Sequence, residues 1–547
     1  MLKPTKLSKI PATTKRIAKA AFPKGSTVME LRDAFGSLYE DSDFAALFPH
    51  DGQPAYAPWR LALVTVFQFL ENLTDRQAAD AVRGRLDWKY ALSLKLDDPG
   101  FDRSVLSEFR GRLVEGNMEQ LLLDKMLECF KEKSLLKASK QRSDSTHVVA
   151  AVRRLRRLEL AGETVRAALN AIATVEPEWL RSVTKPEWFE RYSHRIEEYR
   201  FPKGKQAQQD YGLAVATDGF ELLDLLDQSD TPVVLKTLSM VQTLRDGWEQ
   251  NFERKNGKVR WLAPSELKPS GERFNSPYDP EAHYAIKRKT EWIGYKVHLT
   301  ETCEEASLHL ITHVETTPSV QQDVSTTQTI QQALADKNCL PETHIVDAGY
   351  IDAELLALSQ DEHGIKLVGP VRENRSWQAQ AKQGFGLESF TLDWEMKQAV
   401  CPQGKRSYPW KAFRNEFGTT VIKAAFRPKD CQVCVSKPLC TNAKTTGRGI
   451  AFQTRARQEA INNMRDLMSS EVGKALYKQR AGIEGSLSQG VRKMGLRYTR
   501  YRGLQKTRLQ HLATAAAINV SRVVSWLRGN LPMTSRTSPF ARLAPRP

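Results

Sequence analysis

The period of the apolar pattern changes along this chain near residue 290, and that change restricts the folds open to it. Trp292 to Thr300 (WIGYKVHLT) alternates apolar and polar residues as a half-buried strand does. Leu308 to Glu315 (LHLITHVE) repeats the pattern after a short acidic turn, which predicts an antiparallel pair. Beyond it the periods take turns. Gln321 to Ala335 reads as helix, Thr343 to Val346 as a short buried strand ending at Asp347, Asp352 to Gln360 as helix and Ile365 to Pro370 as strand. Two hairpin strands followed by alternating helix and strand predict an α/β fold, a mixed sheet with helices on its faces. Such a sheet still lacks its first strand, and Arg142 to Val148 is the segment expected to supply it.

Upstream the pattern is helical. Pro58 opens PWRLALVTVFQFLENL where a proline suits the first turn, Thr74 and Asp75 cap a helix across Arg76 to Arg85, and Asp102 or Ser104 caps SVLSEFRGRL after Pro99. Short helices with interspersed arginines read either as a plain bundle or as a helix-turn-helix unit whose last helix enters a major groove. Val149, Val152, Leu155 and Leu158 give His147 to Leu180 a helical spacing, with Arg153, Arg154, Arg156 and Arg157 between them. A weaker helical pattern runs on to Lys205. Gly, Pro, Asn and Ser gather from Asn256 to Pro280, which marks a linker.

At 547 residues the chain is too long for one ordinary core, and its net charge of +17 with a pI near 9.4 favours a polyanionic partner. Nucleic acid is the natural choice at this size. No run approaches the ~20 apolar residues of a membrane helix, and the basic N-terminus lacks the apolar stretch of a secretory signal. The scattered Cys129, Cys303 and Cys339 fit a reducing compartment, so a cytoplasmic, nucleoid-associated protein is expected.

Within the C-terminal segment, where Lys and Arg recur from Lys474 to Arg546, the only acids are Glu471 and Glu484. Tyr477, Arg480 and Glu484 stand at offsets that share one helical face, which sets a carboxylate beside a guanidinium. Asp144 in QRSDSTHV and Asp347 in HIVDAGY each lie where a chain leaves a sheet. Singly, such residues are common caps and turns. Together, three hard oxygen ligands converging from two strands and a helix suit a pair of divalent cations that act on a phosphodiester.

These motifs, with the GYKVHL strand at Gly294, occur in the order seen in DDE transposases of bacterial insertion sequences, and the chain resembles insertion-sequence family eleven-eighty-two. The likeness runs from NLTDRQAADAVRGRLDWKYAL at Asn72 to YRGLQKTRLQHLATAAAINVSR at Tyr501. It implies a ribonuclease-H-like mixed-sheet catalytic core, two Mg²⁺ ions with Mn²⁺ as a substitute, and cleavage and rejoining at the inverted repeats of a mobile element. Matched by position, Asp144, Asp347 and Glu484 take the catalytic, metal-binding roles, and Tyr477 and Arg480 accompany them at the DNA. One departure stands out. Relatives often carry Lys seven residues after the Glu, and here that position is Val491, which leaves the grip on a terminal phosphate to Arg492.

Several further expectations follow. Arg497, Arg500 and Arg502, interleaved with Tyr498 and Tyr501, form either a DNA-binding surface or a solvated helix end. Trp377 is either a packing residue or a stacking platform for an extruded base. Between the last core strand and Glu484 lies an insertion in which Cys401, Cys431, Cys434 and Cys440 could close a tetrahedral structural Zn²⁺ site. The chain then divides into a basic flexible arm (1–25), a helical DNA-binding domain (26–138), the first catalytic strand region (139–150), a helical insertion and linker (151–285), the ribonuclease-H-like core (286–372), a Cys-rich insertion (373–470), the Glu484 helix with C-terminal helices (471–530) and a basic tail (531–547). An element has two ends, so a homodimer in synapsis on double-stranded DNA is expected. A nuclease that does not join strands, or an inactive domesticated DNA-binding protein, would share parts of this pattern.

Overall fold

The computed structural model describes residues 1–3, 9–371, 376–414, 418–530, 540 and 543. The expected basic tail, with Arg536, Arg542 and Arg546, therefore lies outside the described residues apart from Phe540 and Leu543.

Strand β1 (Lys140–Val149) stands at the centre of the main sheet. A ribbon of β2 (Phe252–Lys255) and β3 (Lys258–Trp261) closes the long helical segment that follows it. The sheet is completed by β4 (His283–Lys287), β5 (Thr290–Thr302), β6 (Ile311–Pro318), β7 (Thr343–Ile345) and β8 (Lys366–Val368). β5 runs antiparallel to β1 on one hand and to β6 and β4 on the other, while β7 and β8 lie parallel beyond β1. This curled mixed sheet is compatible with a ribonuclease-H-like core.

The centre of the sheet is polar, with Gln141 and Ser143 of β1 both paired, which is why β1 carries no apolar alternation over its first half. Gln141 and Ser143 are fully buried. Ser143 Oγ lies 2.6 Å from Thr300 Oγ1 of β5 and 2.7 Å from His344 Nε2 of β7, and Thr312 donates to Gln141 Oε1 at 2.5 Å. Paired hydroxyls and amides of this kind avoid the cost of burying an unmatched polar group.

One long helix ties the sheet to the N-terminal half. Leu504–Leu527 is buried on nearly every side, packing on β6 and on the helix Pro58–Leu70. Its Asn519 amide donates to Ile311 O at 2.9 Å while its carbonyl accepts from Ile311 N at 2.8 Å. Trp59, Phe67 and Phe69 thus share one core with Leu299, Val314, Leu512 and Ile518. The helical segment 26–138 is fused to the sheet through this core. Its caps fall where the sequence set them: Thr74 forms a capping box with Gln77, and Asp102 accepts from Ser104 N at 2.9 Å.

Several expectations need correction. The arm over residues 1–25 is not wholly flexible, because Ala12–Ala21 is a helix whose Ala18 packs with Met29 and Tyr90. The helix read over His147 to Leu180 begins only at Arg157, since β1 extends to Val149 through pairing with β5. The helical pattern does not fade at Lys205: Lys205–Leu226 and Ser239–Asn251 are both helices, packed with Arg157–Val175 around Val165, Leu222, Leu244 and Trp248. The second hairpin strand starts at Ile311 rather than Leu308, with Leu308 and Leu310 buried in the connection.

The segment expected to be a Cys-rich insertion has a core of its own. β9 (Thr391–Asp393) pairs with β10 (Gln398–Val400), and β11 (Trp410–Arg414), β12 (Thr420–Ala425) and β13 (Gly449–Phe452) form a second small sheet. Phe390, Ala399, Ile422, Ala424, Phe426 and Phe452 fill the space around them. The chain then returns to the main sheet, where the helix Arg455–Ser469 lays Met464 in a separate apolar cluster with Leu355 and Leu356. No helix among the described residues is long and apolar enough to cross a membrane.

Candidate active site

Strand register brings the first two acids together. Arg142 of β1 pairs with Ile345 of β7 in parallel register, so Asp144, two residues on, and Asp347, two residues past Ile345, project to the same side at the same level. Asp144 Oδ1 accepts from the Ser145 N–H at 2.8 Å, and Asp347 Oδ1 accepts from the Gly349 N–H at 2.8 Å. Each carboxylate therefore keeps one oxygen for its own backbone and frees the other for a partner.

The third acid arrives on a broken helix. Glu471–Lys478 ends in a tight turn over Gln479–Ala481, and a new helix runs from Gly482 to Lys493. The sequence expectation of one continuous helix is corrected here, yet its three residues still meet. Arg480 donates through Nη1 to Asp144 Oδ2 at 2.8 Å and through Nη2 to Glu484 Oε1 at 2.9 Å. Its guanidinium carbon lies 5.9 Å from the Tyr477 ring centroid. One cation thus bridges a strand carboxylate and a helix carboxylate.

Burial pushes the Asp144 carboxyl above its usual range, and the charge of Asp347 adds to the rise against the pull of the Ser145 N–H and Arg480. Tyr477 is likewise raised by burial, with the charges of Asp347 and Asp144 adding to the rise. The Arg480 guanidinium, although partly desolvated, is held protonated by Asp144. Asp144 and Arg480 are both largely buried, whereas the Glu484 side chain is 63% exposed, so the site opens to solvent on the Glu484 side.

A match to a family described as a transposase DDE domain covers residues 400–524, and a match to a transposase domain (DUF772) covers residues 17–112. These matches indicate a DDE-type transposase. Glu484 falls inside the first match, while Asp144 and Asp347 lie between the two. The curated proteins contain no match to the chain. A polynucleotidyl-transferase or nuclease activity is the chemistry this transposase family carries, and DDE transposases generally use divalent metals. Among the described residues, no three His, Cys, Asp or Glu side chains stand close enough together to hold an ion.

A fourth acid escaped the sequence reading. Asp323, in a Gln- and Ser-rich turn without periodicity, pairs with Lys296 of β5 at 2.9 Å and accepts from Ser145 Oγ at 3.2 Å. It sits beside the Asp347 loop, where a Cβ on Gly349 would stand 3.0 Å from Asp347 Oδ1 and 3.5 Å from Asp323 Oδ2. His298, brought to about 4 by burial, is neutral and lies 2.5 Å from the Tyr350 hydroxyl.

The cations expected at DNA divide into two groups. Arg492 and Lys493 are exposed and make no ion pair among the described residues, while Val491 packs against the main core. Arg497, Arg500 and Arg502 have partners inside the molecule. Arg497 donates to His147 O at 3.0 Å, Arg500 donates to Leu73 O and Asn72 Oδ1 at 2.5 Å over the Phe69 ring, and Arg502 lies over Tyr278. Trp377 opens a short helix, half-buried.

Cys401, Cys431, Cys434 and Cys440 are free thiols that line one pocket of the insertion. The Lys405 N–H donates to Cys401 Sγ at 3.3 Å and the Arg448 N–H to Cys431 Sγ at 3.4 Å. Burial pushes the Cys440 thiol up, and the other three cysteines add to the effect against the Arg448 charge.

Proposed function

We propose that this chain is the transposase of an insertion sequence related to family eleven-eighty-two, one that binds the element's inverted repeats, cleaves its ends and joins the 3′ hydroxyls to target DNA. The observation that carries the reading is the bridge Asp144–Arg480–Glu484 beside Asp347, assembled from two strands and a helix far apart in sequence. Asp144, Asp347 and Glu484 would hold two Mg²⁺ ions, with Mn²⁺ as a substitute. Carboxylate oxygens are hard ligands of the kind such ions take, and Arg480 now occupies the space between Asp144 and Glu484, where the acids stand too far apart to hold an ion together. When bound, those ions would supply an activated water or hydroxyl and charge for the leaving oxygen.

The chain's own residues do the rest. Arg480 neutralises the carboxylates in the absence of DNA and is the nearest donor for a phosphate that approaches from the open Glu484 side. Tyr477 backs that guanidinium and limits its swing. Arg492 grips a flanking phosphate, and Arg497, Arg500 and Arg502 shape the basic surface behind it. The four cysteines line one pocket and would hold a structural Zn²⁺ if they drew closer together than they stand here, a donor set that leaves no position for catalysis. Two copies act together on the two element ends.

The deciding experiment incubates the purified chain with a labelled DNA carrying the inverted repeats, a target plasmid and Mg²⁺. Joined product is expected. Cleaved ends without joined product would instead identify a nuclease on the same fold, and binding without cleavage would identify a domesticated DNA-binding protein.

A further inference from the structure

Two residues before Asp144 stands Arg142, and two residues after Glu484 stands Ser486. Both end on the same carboxylate, Glu301 of β5, which faces Arg142 across the β1–β5 register and has no solvent exposure. Arg142 donates to Glu301 Oε1 through Nε at 2.8 Å and Nη2 at 2.6 Å. On the other oxygen, Arg522 of the long C-terminal helix donates at 2.8 Å and the Ser486 hydroxyl donates as well, while Arg522 Nη2 reaches Ser486 Oγ at 2.5 Å. Arg142 Nη1 also donates to Gln479 O at 2.5 Å, in the turn that joins the two helices around Arg480.

The network is over-determined. Burial alone would drive the Glu301 carboxyl upward, yet the Arg522 and Arg142 guanidiniums hold it below its usual range, so the ion stays charged inside the protein. A buried carboxylate of that kind tolerates little displacement of its donors, because each lost hydrogen bond exposes a charge to low dielectric. Apolar packing would let a helix slide on a sheet; directed, charge-assisted bonds fix its direction and its height. Gly482 makes the fit closer still. A Cβ there would stand 2.2 Å from Arg142 Nη1 and 2.4 Å from its guanidinium carbon, so the helix bearing Glu484 starts directly against the side chain that leads to Glu301.

We propose that Glu301 is a positioning residue of the transposase: with Arg142, Arg522 and Ser486 it locks the Glu484 helix to the strand that carries Asp144 and so sets the spacing of the two acids. It acts through those residues and touches neither DNA nor metal. The role rests on the reading of Asp144 and Glu484 given above.

The test is Gly482→Ala in the full chain, at an exposed position where the three atoms nearest an added Cβ all belong to Arg142. End cleavage at saturating DNA should fall ~10–100-fold, the size expected for a misplacement of about an ångström, with the loss in kcat rather than KM. Hydrogen exchange of the amides over residues 482–493 should rise and Tm should fall with the displaced Arg142 contacts, while the affinity for inverted-repeat DNA stays at the wild-type value. Ser486→Ala, which removes one hydroxyl of the network and adds no atom, should act in the same direction with a smaller loss. Unchanged kcat, or unchanged exchange over 482–493 in both variants, overturns the proposal. Wild-type protein that cleaves no element end would defeat the transposase reading instead, and the exchange experiment would still decide whether the network holds the helix.

Discussion

The main sheet and the Cys-rich insertion solve the same problem, polar groups in a packed interior, in opposite ways. Around Glu301 every charge has a partner from the chain itself: one carboxylate, two guanidiniums and a serine, drawn from two strands and two helices. Around Cys401, Cys431, Cys434 and Cys440 the chain supplies four soft donors and only backbone N–H groups to meet two of them. Val433 and Val435 beside that pocket are 83% and 97% exposed, so its rim is not packed closed by the chain. The Glu301 network is closed by bonds within the chain, whereas the four thiols face an open pocket. What the difference teaches is that Asp144 and Glu484 rest on a frame of directed, charge-assisted bonds, while the segment around the cysteines rests on a small apolar core of its own.

The largest expected effect tests the sheet side directly. Asp144→Asn, Asp347→Asn and Glu484→Gln should each lower end cleavage by ~10³-fold or more, about 4 kcal/mol of barrier, with DNA binding intact. A variant that cleaves near the wild-type rate in Mg²⁺ would remove its residue from the site. Glu301→Ala comes next. It strands two buried guanidiniums, and urea unfolding should show a loss of about 3–5 kcal/mol. A loss under 1 kcal/mol would mean that the network is looser than its distances imply, and the contrast with the thiol pocket would collapse.

On the insertion side the effect should be smaller and local. Protein purified without chelator is expected to carry close to one zinc per chain, and Cys434→Ser should release it and raise hydrogen exchange over 385–452 while leaving the main sheet protected. Full zinc retention after that substitution, or none in the wild type, would make the pocket a plain thiol cluster. The smallest effect is set for Arg500→Ala: about 1–2 kcal/mol of stability from two hydrogen bonds and a ring contact. Its log–log salt slope for DNA binding should change less than that of Arg492→Ala, which removes a side chain that makes no ion pair among the described residues and should lose up to ~0.9 per phosphate contact. The reverse order would return Arg500 to the DNA surface.

Much of the fold was legible because alternation and helical spacing are local signals. β5, β7 and β8 appear within a residue or two of where WIGYKVHLT, THIV and IKLVGP set them, and the caps at Thr74 and Asp102 fall in place. β1 was legible only as a gap in the sheet, since Gln141 and Ser143 face inward and are satisfied by Thr312, Thr300 and His344, all distant in sequence. β4 went unread for a related reason: HYAIK is short, and it becomes a strand by pairing with a partner that turns back at Arg288. Within the site, Arg480 and Glu484 were legible from spacing, but the contact of Arg480 with Asp144 spans most of the chain. Asp323 and Glu301 had no signal at all. An acid in an aperiodic turn and an acid on a buried strand look like defects until the partners Lys296, Arg142 and Arg522 are brought to them.

The helix Leu504–Leu527 fills the centre of a core whose other walls are the N-terminal helices and β6. On the ribosome those walls emerge first and wait. At ~5–20 residues per second, the interval between the helix ending at Leu70 and the arrival of Leu527 is roughly 20–90 s, during which Trp59, Phe67 and Phe69 lack the surface they pack on. This core is therefore closed by the last-made helix among the described residues, and a chain interrupted anywhere before it would be left with an open apolar cleft, a substrate for chaperones and proteases.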